Sequence, residues 1–206
     1  MSFYENHILP HVIGVACCAP QIMKQRSRLV PAAEGRVLEV GFGAGPNLGF
    51  YDPDKVTRLF ALEPSEGMRR KAAKALEASP LDIEVLDLPG EEIPLDDHCV
   101  DTIVLTYTAC TIPDVSAAMA QMRRVLKPGG TLLFSEHGRA PDPGVAKWQD
   151  RIEPVWKRIA GGCHLTRKPD EILTQSGFEI GDMTAEYLPK SPKFAAFNYS
   201  GWAKPI

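Results

Sequence analysis

Paired cysteines are the first feature that this sequence lacks. It has five cysteines, an odd number, and no Cys-x-x-Cys motif; they are Cys17, Cys18, Cys99, Cys110 and Cys163. This pattern argues against both a disulfide framework and a zinc site. We therefore expect a protein of the reducing cytoplasm with no bound metal, in which cysteines such as Cys163 serve in packing.

Long basic runs and long apolar runs are also missing. Lysine and arginine total 23 against 26 aspartate and glutamate residues, with a net charge of −3, which argues against nucleic acid as a partner. No run of about 18 apolar residues occurs, and the first residues lack the basic flank of a secretory signal. We expect no stable membrane insertion. The length of 206 residues fits one domain and leaves monomer and homodimer both open.

What the sequence does contain is a regular alternation of strand and helix patterns after residue 35. Short apolar runs predict strands, and apolar residues spaced by three and four predict helices. In chain order we expect strand Arg36–Val40, a helix from Pro46, strand Arg58–Leu62, helix Ser65–Ala78, strands Ile83–Leu86 and Val100–Thr106, a helix from Val115 to Leu126, strand Thr131–Ser135, a helix over 145–159, helix Pro169–Ser176, and strands near Phe178–Tyr187 and Phe194–Trp202. This order predicts an α/β fold with a Rossmann-like, doubly wound sheet that binds ligands at its carboxyl edge.

A glycine-rich turn follows the first predicted strand, in Arg36-Val-Leu-Glu-Val-Gly-Phe-Gly-Ala-Gly-Pro46. A dinucleotide fingerprint would need a third glycine or alanine at position 46. Proline there offers no N–H to a diphosphate, so the turn suits a ligand without phosphate. S-adenosylmethionine is such a ligand, and its cationic end favours an acid beside the turn. We expect Glu39 and the glycines Gly41, Gly43 and Gly45 to hold its methionine end.

Residues at the ends of later strands are predicted to bind the rest of this cofactor. Glu63 follows the second strand, where acids of nucleotide folds accept both ribose hydroxyls. Pro64 fixes the turn after it, and Met68 is expected against the adenine. The backbone of Gly90 and Glu91 is expected to read the base. Thr106 and Tyr107 end the fourth strand and are expected to face the sulfonium through a carbonyl or an aromatic ring.

The order of four motifs resembles the class I S-adenosylmethionine-dependent methyltransferases of the methyltransferase type 11 group. The motifs are Glu39-Val-Gly-Phe-Gly-Ala-Gly45, Leu62-Glu-Pro-Ser65, Val100-Asp-Thr-Ile-Val104 and Arg124-Val-Leu-Lys-Pro-Gly-Gly130. The resemblance implies a mostly parallel sheet of seven strands whose last strand is antiparallel, with helices on both faces. It also implies S-adenosylhomocysteine as the product.

A narrower resemblance is to the methyltransferase-like thiol S-methyltransferases and their bacterial relatives. It rests on Gln25-Arg-Ser-Arg-Leu-Val-Pro31, Asn47-Leu-Gly-Phe-Tyr51, Ser135-Glu-His137 and Gly162-Cys-His-Leu-Thr-Arg167. Asn47, directly after the turn, is included among the predicted cofactor-binding residues. Animal members carry an amino-terminal membrane anchor, and this chain resembles a soluble form. We expect one domain over 1–206, with a helical cap over 1–35 and a helix and loop over 140–168 that cover the acceptor pocket.

Two histidines are candidate bases for methyl transfer. The reaction is a displacement in line, so much of the catalysis comes from positioning and desolvation, and a dedicated base is optional. A thiol has an ordinary pKa near 8.5, so modest help in deprotonation suffices. His137, which follows the fifth strand at the ligand edge, is the first candidate, and His164 is the second. A purely structural role for both is the alternative.

Other functions stay open from the sequence alone. The small, apolar acceptor could instead be methylated at oxygen, nitrogen or carbon, as in a quinone, a lipid head group or a secondary metabolite. A protein that binds S-adenosylmethionine without chemistry is a second alternative. A nicotinamide oxidoreductase is a third, disfavoured by Pro46.

Overall fold

The fold is built around one seven-stranded sheet. The computed structural model describes residues 17–206, so the first part of the predicted amino-terminal cap lies outside the described residues. The strands are β1 (Gly35–Val40), β2 (Val56–Leu62), β3 (Ile83–Leu86), β4 (Val100–Thr106), β5 (Leu126–His137), β6 (Phe178–Tyr187) and β7 (Phe197–Pro205). The helices among the described residues are α1 (Pro20–Leu29), α2 (Glu66–Glu77), α3 (Val115–Val125), α4 (Pro143–Ile159), α5 (Pro169–Gln175) and α6 (Lys193–Ala196).

The order of strands across the sheet is β3-β2-β1-β4-β5-β7-β6. Strands β1 to β5 pair in parallel, whereas β7 runs antiparallel to both β5 and β6. The predicted α/β class and the antiparallel last strand are therefore confirmed. The chain order reverses between β1 and β4, and ligands of such sheets bind at the carboxyl ends of the strands beside this switch point.

Alternation along β1 separates the two faces of the sheet. Leu38 and Val40 belong to one buried apolar cluster, and Val37 belongs to the other. Because successive side chains of a strand point to opposite faces, Glu39 lies on the same face as Val37. Its register partners are Ala61 on β2 and Val104 on β4, so this acid is placed in the middle of the sheet.

One predicted element is wrong. The segment after the glycine turn forms a short 3-10 turn at Leu48–Phe50 instead of a helix from Pro46. Pro53 follows only seven positions after Pro46, and the residue before a proline is disfavoured in helical conformation. In addition, the side chains of Asn47 and Tyr51 both donate hydrogen bonds to Glu39, which ties both ends of this short turn to β1.

The remaining bounds differ from prediction by a few residues. The helix predicted to end at Leu126 ends at Val125, because Leu126 already begins β5. The helix α2 begins one residue later than predicted, since Ser65 is its N-cap and accepts a hydrogen bond from the N–H of Met68. Strand β7 begins at Phe197 because α6 occupies the residues before it.

Candidate active site

Two adjoining cavities open at the carboxyl ends of β1, β2 and β4. The turn cavity has a volume of about 250 Å³ and is lined by Cys17, Cys18, Arg26, Gly41, Phe42, Gly43, Ala44, Pro46, Glu63, Ser65, Met68, Thr106, Tyr107, Thr108, Thr111 and Gly161. The rim cavity has a volume of about 150 Å³ and is lined by Val40, Gly41, Leu62, Glu63, Pro64, Pro89, Gly90, Glu91, Thr108, Thr111, Ile112 and Pro113. The two share Gly41, Glu63, Thr108 and Thr111, so they form one continuous site.

A larger groove lies at the other edge of the sheet. Its volume is about 770 Å³, and it is lined by residues such as His98, Pro128 and Ile206. These residues lie at the amino ends of β4 and β5 and at the end of the chain. Size alone would select this groove, but it contains none of the predicted site residues, and open parallel sheets bind their ligands at the opposite edge.

The glycine turn forms one wall of the turn cavity. Gly41 and Gly43 have φ angles of +74° and +61°, a left-handed conformation that side chains other than glycine adopt at a cost. A Cβ on Gly41 would lie 2.2 Å from a methyl carbon of Thr108, whereas a Cβ on Gly43 would meet nothing closer than Met68 at 3.5 Å. Gly43 thus leaves open the space in front of the turn, while Gly41 allows the turn to pack against the loop after β4.

Glu63 is buried between the turn and α2, with 7% of its surface exposed. Its Oε2 accepts a hydrogen bond from the N–H of Gly43 at 2.8 Å, and its Oε1 accepts one from the N–H of Ser65 at 2.8 Å. Burial raises the pKa of Glu63, and these two N–H groups oppose that rise. Each carboxylate oxygen has a second lone pair, so the side chain can still accept two hydroxyl groups from a ligand in the cavity.

Glu39 lies behind the cavity wall and does not line it. The carboxylate accepts hydrogen bonds from Asn47 Nδ2 at 2.9 Å and from the Tyr51 hydroxyl at 2.6 Å, and 1% of its surface is exposed. Asn47 is also fully buried, so both residues support the wall from behind. Their predicted contact with the cofactor stays a prediction, and Gly45 likewise lies outside the lining of both cavities.

A cationic group also reaches the turn cavity, Arg26, which the sequence interpretation missed. Arg26 Nη1 donates to Asn47 Oδ1 at 2.9 Å and to Thr106 Oγ1 at 2.6 Å. The guanidinium lies 5.2 Å from the centre of the Tyr107 ring, and its Nε has no hydrogen-bond partner among the described residues. This arginine therefore has a spare donor beside the space where a ligand would sit.

The buried state of Glu39 predicts a dependence of stability on pH. Burial raises the pKa of Glu39 to about 7 from an ordinary 4.5, although Tyr51, Arg26 and Asn47 all lower it. A carboxyl whose pKa rises on folding stabilises the fold at low pH, and this contribution is lost as the pH rises towards 7. Relative to Glu39→Gln, we expect the wild type to lose about 3 kcal/mol of unfolding free energy between pH 4.5 and pH 7.

Urea unfolding of both proteins, followed by circular dichroism at several pH values, measures this difference. Subtracting the variant removes the contributions of the other titrating groups to the pH dependence. Parallel stability curves for the two proteins would show that Glu39 keeps its ordinary pKa in the folded state.

Tyr107 has a strained backbone at the end of β4. Its φ angle is +54°, an uncommon conformation for an aromatic residue that is often found at functional sites. Its N–H donates to the carbonyl of Ser135 at 2.9 Å, and burial raises the pKa of its hydroxyl well above the ordinary value. The ring of Tyr107 lies beside Arg26 and lines the turn cavity, and its predicted contact with the sulfonium stays a prediction.

The residues predicted to read the base line the rim cavity. These are Gly90 and Glu91; Pro64, which was predicted to fix the turn after β2, lines the same cavity. Glu91 Oε1 accepts a hydrogen bond from the N–H of Asp114 at 3.1 Å, which joins the loop after β3 to the start of α3. Glu91 Oε2 is buried and has no partner among the described residues, so a donor from a ligand could satisfy it.

The two candidate bases lie in different surroundings. His137 Nε2 lies 3.1 Å from Cys163 Sγ. Burial lowers the pKa of His137, but the facing Cys163 raises it by a larger amount, so the net shift is upward. His164 Nδ1 instead lies 3.1 Å from Glu153 Oε1 on α4, and burial lowers its pKa. Neither histidine lines the two cavities, and the geometry favours His137 over His164 because His137 ends β5 at the ligand edge.

Two further groups around His137 were not predicted. A hydrogen bond with Cys110 and the nearby His137 lower the pKa of Cys163 to about 4, against the effect of burial, while the same pairing holds the pKa of Cys110 well above its ordinary value. Glu136 accepts hydrogen bonds from the N–H groups of Thr108 and Ala109, and burial raises its pKa to about 7. No short motif could show that Cys110 and Cys163 lie beside His137, because the three residues are far apart in the chain.

Comparison with known proteins identifies the family. Residues 38–134 match the family model described as Methyltransferase domain. Human thiol S-methyltransferase TMT1B is 36% identical over 171 residues, which cover 78% of this chain and 69% of the human protein. The chain belongs to the class I S-adenosylmethionine-dependent methyltransferases. Human thiol S-methyltransferase TMT1A is 30% identical, with coverage of 72% of this chain and 62% of that protein, so this methyltransferase matches under two thirds of the latter's length.

Solved structures agree with this assignment at the level of the fold. A SAM-dependent methyltransferase from Leishmania major superposes with a TM-score of 0.70 at 17% sequence identity, covering 98% of this chain and 80% of that one. At such low identity the likeness concerns the fold alone. Among residues 17–206, no helix is long and apolar enough to cross a membrane.

S-adenosylmethionine is the cofactor of this methyltransferase, and the residues of the site fit it. The space in front of Gly43 would be taken by any Cβ, Glu63 offers buried acceptors for the ribose, and the Nε of Arg26 is a buried donor without a partner. Membership of the family confirms the predicted cofactor, whereas the role of each residue stays a prediction.

Proposed function

We propose that this methyltransferase transfers a methyl group to the sulfur of a small, fairly apolar thiol. The observation that carries the proposal is its 36% identity with a human thiol S-methyltransferase. The turn cavity, whose lining includes Cys17, Cys18, Phe42 and Met68, agrees with an apolar acceptor. S-adenosylmethionine supplies an electrophilic methyl group on a sulfonium sulfur. The protein has to bind this donor, exclude water and align the acceptor with it.

The residues of the chain divide the binding of the donor between them. Glu63 accepts the ribose hydroxyls, and the backbone at Gly90 and Glu91 contacts the adenine. The guanidinium of Arg26 pairs with the carboxylate at the amino-acid end of the cofactor through donors such as its Nε, which has no hydrogen-bond partner among the described residues. Tyr107 places its ring beside the positive sulfonium. In this arrangement Glu39 and Asn47 act from behind, since they hold Arg26 and Thr106 in position.

The acceptor is proposed to enter beneath the segment 140–168. Gly161 of this segment lines the turn cavity, and Cys163 contacts His137. Tertiary packing thus brings the far end of the segment to the ligand edge of the sheet. All five cysteines are unpaired, which supports a reducing compartment such as the cytoplasm as the site of action.

An acceptor panel tests the proposed function. Purified protein is incubated with methyl-labelled S-adenosylmethionine and either an alkyl thiol, an aryl thiol, or the alcohol, phenol and amine of matching shape. We expect label in the thioethers of the thiols, with little in their oxygen and nitrogen counterparts, because a thiolate is available near neutral pH and is the stronger nucleophile. Label that enters only the phenols or amines would contradict the thiol assignment.

Arg26 provides a prediction about the donor site. We expect Arg26→Gln to weaken S-adenosylhomocysteine binding by about 2 kcal/mol, or about 30-fold, because a charged pair with the ligand carboxylate is lost. Binding of 5′-methylthioadenosine, which lacks the amino-acid end, should stay unchanged. Arg28→Gln is the matched control, since Arg28 lies on the same helix and is exposed. Calorimetry that shows an equal loss for both ligands would contradict the assigned contact.

A further inference from the structure

Three side chains with metal-binding atoms meet beside the turn cavity. Cys110 comes from the loop after β4, His137 from the end of β5, and Cys163 from the loop after α4. Their ligand atoms all lie within 4.8 Å of one another, and His137 Nε2 is 3.1 Å from Cys163 Sγ. Cys110 and Cys163 are 4% and 8% exposed, so the group is shielded from bulk water.

The donor set fits zinc. Two thiolates and one imidazole are ligands that zinc prefers, and bond lengths of about 2.3 Å to sulfur and about 2.0 Å to nitrogen place tetrahedral donors about 3.5 to 3.8 Å apart. The observed spacing needs only small side-chain movements to reach that geometry. Three protein ligands leave one tetrahedral position open, which is typical of catalytic zinc sites and not of structural ones.

The loops that carry the two cysteines are held firmly. Arg167 Nη1 donates to the carbonyls of Ala109 and Ile112, on either side of Cys110. The N–H of His164 donates to the carbonyl of Cys110 at 2.8 Å, which ties the loop of Cys163 directly to that of Cys110. Such contacts fix the backbone on which the ligands stand, as a preformed metal site requires.

The open coordination position would adjoin the cofactor site. Thr111 and Gly161 both line the turn cavity, and they lie one and two positions from Cys110 and Cys163 in the chain. Glu136 Oε2 is buried beside the group and has no hydrogen-bond partner among the described residues. A ligand at the fourth coordination position would therefore lie next to the wall of the turn cavity and close to the Glu136 carboxylate.

We propose that Cys110, His137 and Cys163 bind a zinc ion whose fourth coordination position takes the sulfur of the acceptor thiol. This inference rests on the proposed function and deepens it. A coordinated thiol is deprotonated, and its proton passes to water. The thiolate sulfur then forms a bond to the donor methyl carbon, while the bond from that carbon to the sulfonium breaks and its electron pair stays on the donor sulfur. His137 acts as a ligand in this scheme, which replaces its role as a base.

Metal titration tests the inference on the whole protein. The reduced protein is stripped with a chelator and titrated with Zn²⁺ and, separately, with Co²⁺ as a visible probe. We expect about one ion per chain, with a thiolate-to-cobalt charge-transfer band. Thiophenol should then shift the visible cobalt bands by entering the fourth position. Cys110→Ser and Cys163→Ser should lose stoichiometric uptake.

Cys99→Ser is the matched control and should bind metal like the wild type. Cys99 precedes β4 at the opposite edge of the sheet, where its N–H donates to Val125. Reduced wild-type protein that takes up neither ion overturns the inference even if the serine variants fail to fold. Uptake that survives in both serine variants, or cobalt bands that thiophenol leaves unchanged, overturns it as well.

The same samples separate this inference from the proposed function. Metal-free protein that methylates thiols at the full rate would overturn the zinc site and leave the thiol acceptor intact. Metal-loaded protein that methylates no thiol in the acceptor panel would overturn the proposed function, and with it the role given to the fourth position.

Discussion

Replacing Glu63 by glutamine is expected to weaken the binding of S-adenosylhomocysteine on the order of 100-fold. The amide has one acceptor oxygen where the carboxylate has two, so it cannot keep the N–H groups of Gly43 and Ser65 and also accept two ribose hydroxyls. Burial makes each of these hydrogen bonds stronger than it would be in water. Isothermal titration calorimetry measures the change.

A second ligand and a second variant make this result specific. Binding of 5′-methylthioadenosine should fall as well, because that ligand keeps the ribose, in contrast to the result expected for Arg26→Gln. Glu66→Gln is the control, since Glu66 lies one turn away with 72% of its side chain exposed. An affinity of Glu63→Gln equal to that of the wild type would remove Glu63 from the ribose site.

The second large effect is expected from an alanine at Gly41. Its Cβ would lie 2.2 and 2.3 Å from side-chain atoms of Thr108, and the φ angle of +74° is unfavourable for alanine. Overpacking and left-handed strain together should lower the unfolding free energy on the order of 3 kcal/mol. Urea unfolding followed by circular dichroism gives this quantity.

Gly43→Ala should change the stability of the protein little and its cofactor affinity strongly. Its nearest neighbour would be Met68 at 3.5 Å, so only the strain of about 1 kcal/mol is expected, but the methyl group enters the turn cavity and should reduce S-adenosylhomocysteine affinity by at least about tenfold. Gly129→Ala is the control for strain alone, because it has a φ of +80° and no atom within 4 Å of the added Cβ. Equal cofactor affinity in Gly43→Ala and Gly129→Ala would show that the ligand lies elsewhere.

Local pattern predicted most of the elements in this protein. Strands β3, β4 and β6 have the predicted bounds. For the buried strand β4 the signal is a short apolar run, whereas β3 and β6 lie at the edges of the sheet and are bounded by turn residues. The helix expected from Pro46 is the exception. There, Pro46 is suited to a helix start, but Pro53 disfavours helical conformation at the residue before it, and the segment forms only a short 3-10 turn.

The site residues also differ in how well the local sequence pattern predicted their positions. Six predicted residues line the turn cavity: Gly41, Gly43, Glu63, Met68, Thr106 and Tyr107. All but Met68, which lies in the first turn of α2, end a strand or follow it within three positions, where position in the sequence implies position at the sheet edge. Glu39 was expected in contact with the ligand because it adjoins the turn. Strand alternation instead directs its side chain to the face covered by Tyr51, and Arg26 occupies the cavity.

The sequence by itself determined the fold class and the cofactor, and it predicted the strand ends at which the cofactor binds, because these depend on residues close together in the chain. Only the tertiary structure decided which cationic group reaches the turn cavity, and that two cysteines and a histidine meet beside it. Arg26 and Thr106 are 80 residues apart, and His137 and Cys163 are 26 apart. Contacts over such separations arise from the packing of whole elements on the sheet, which no local motif records.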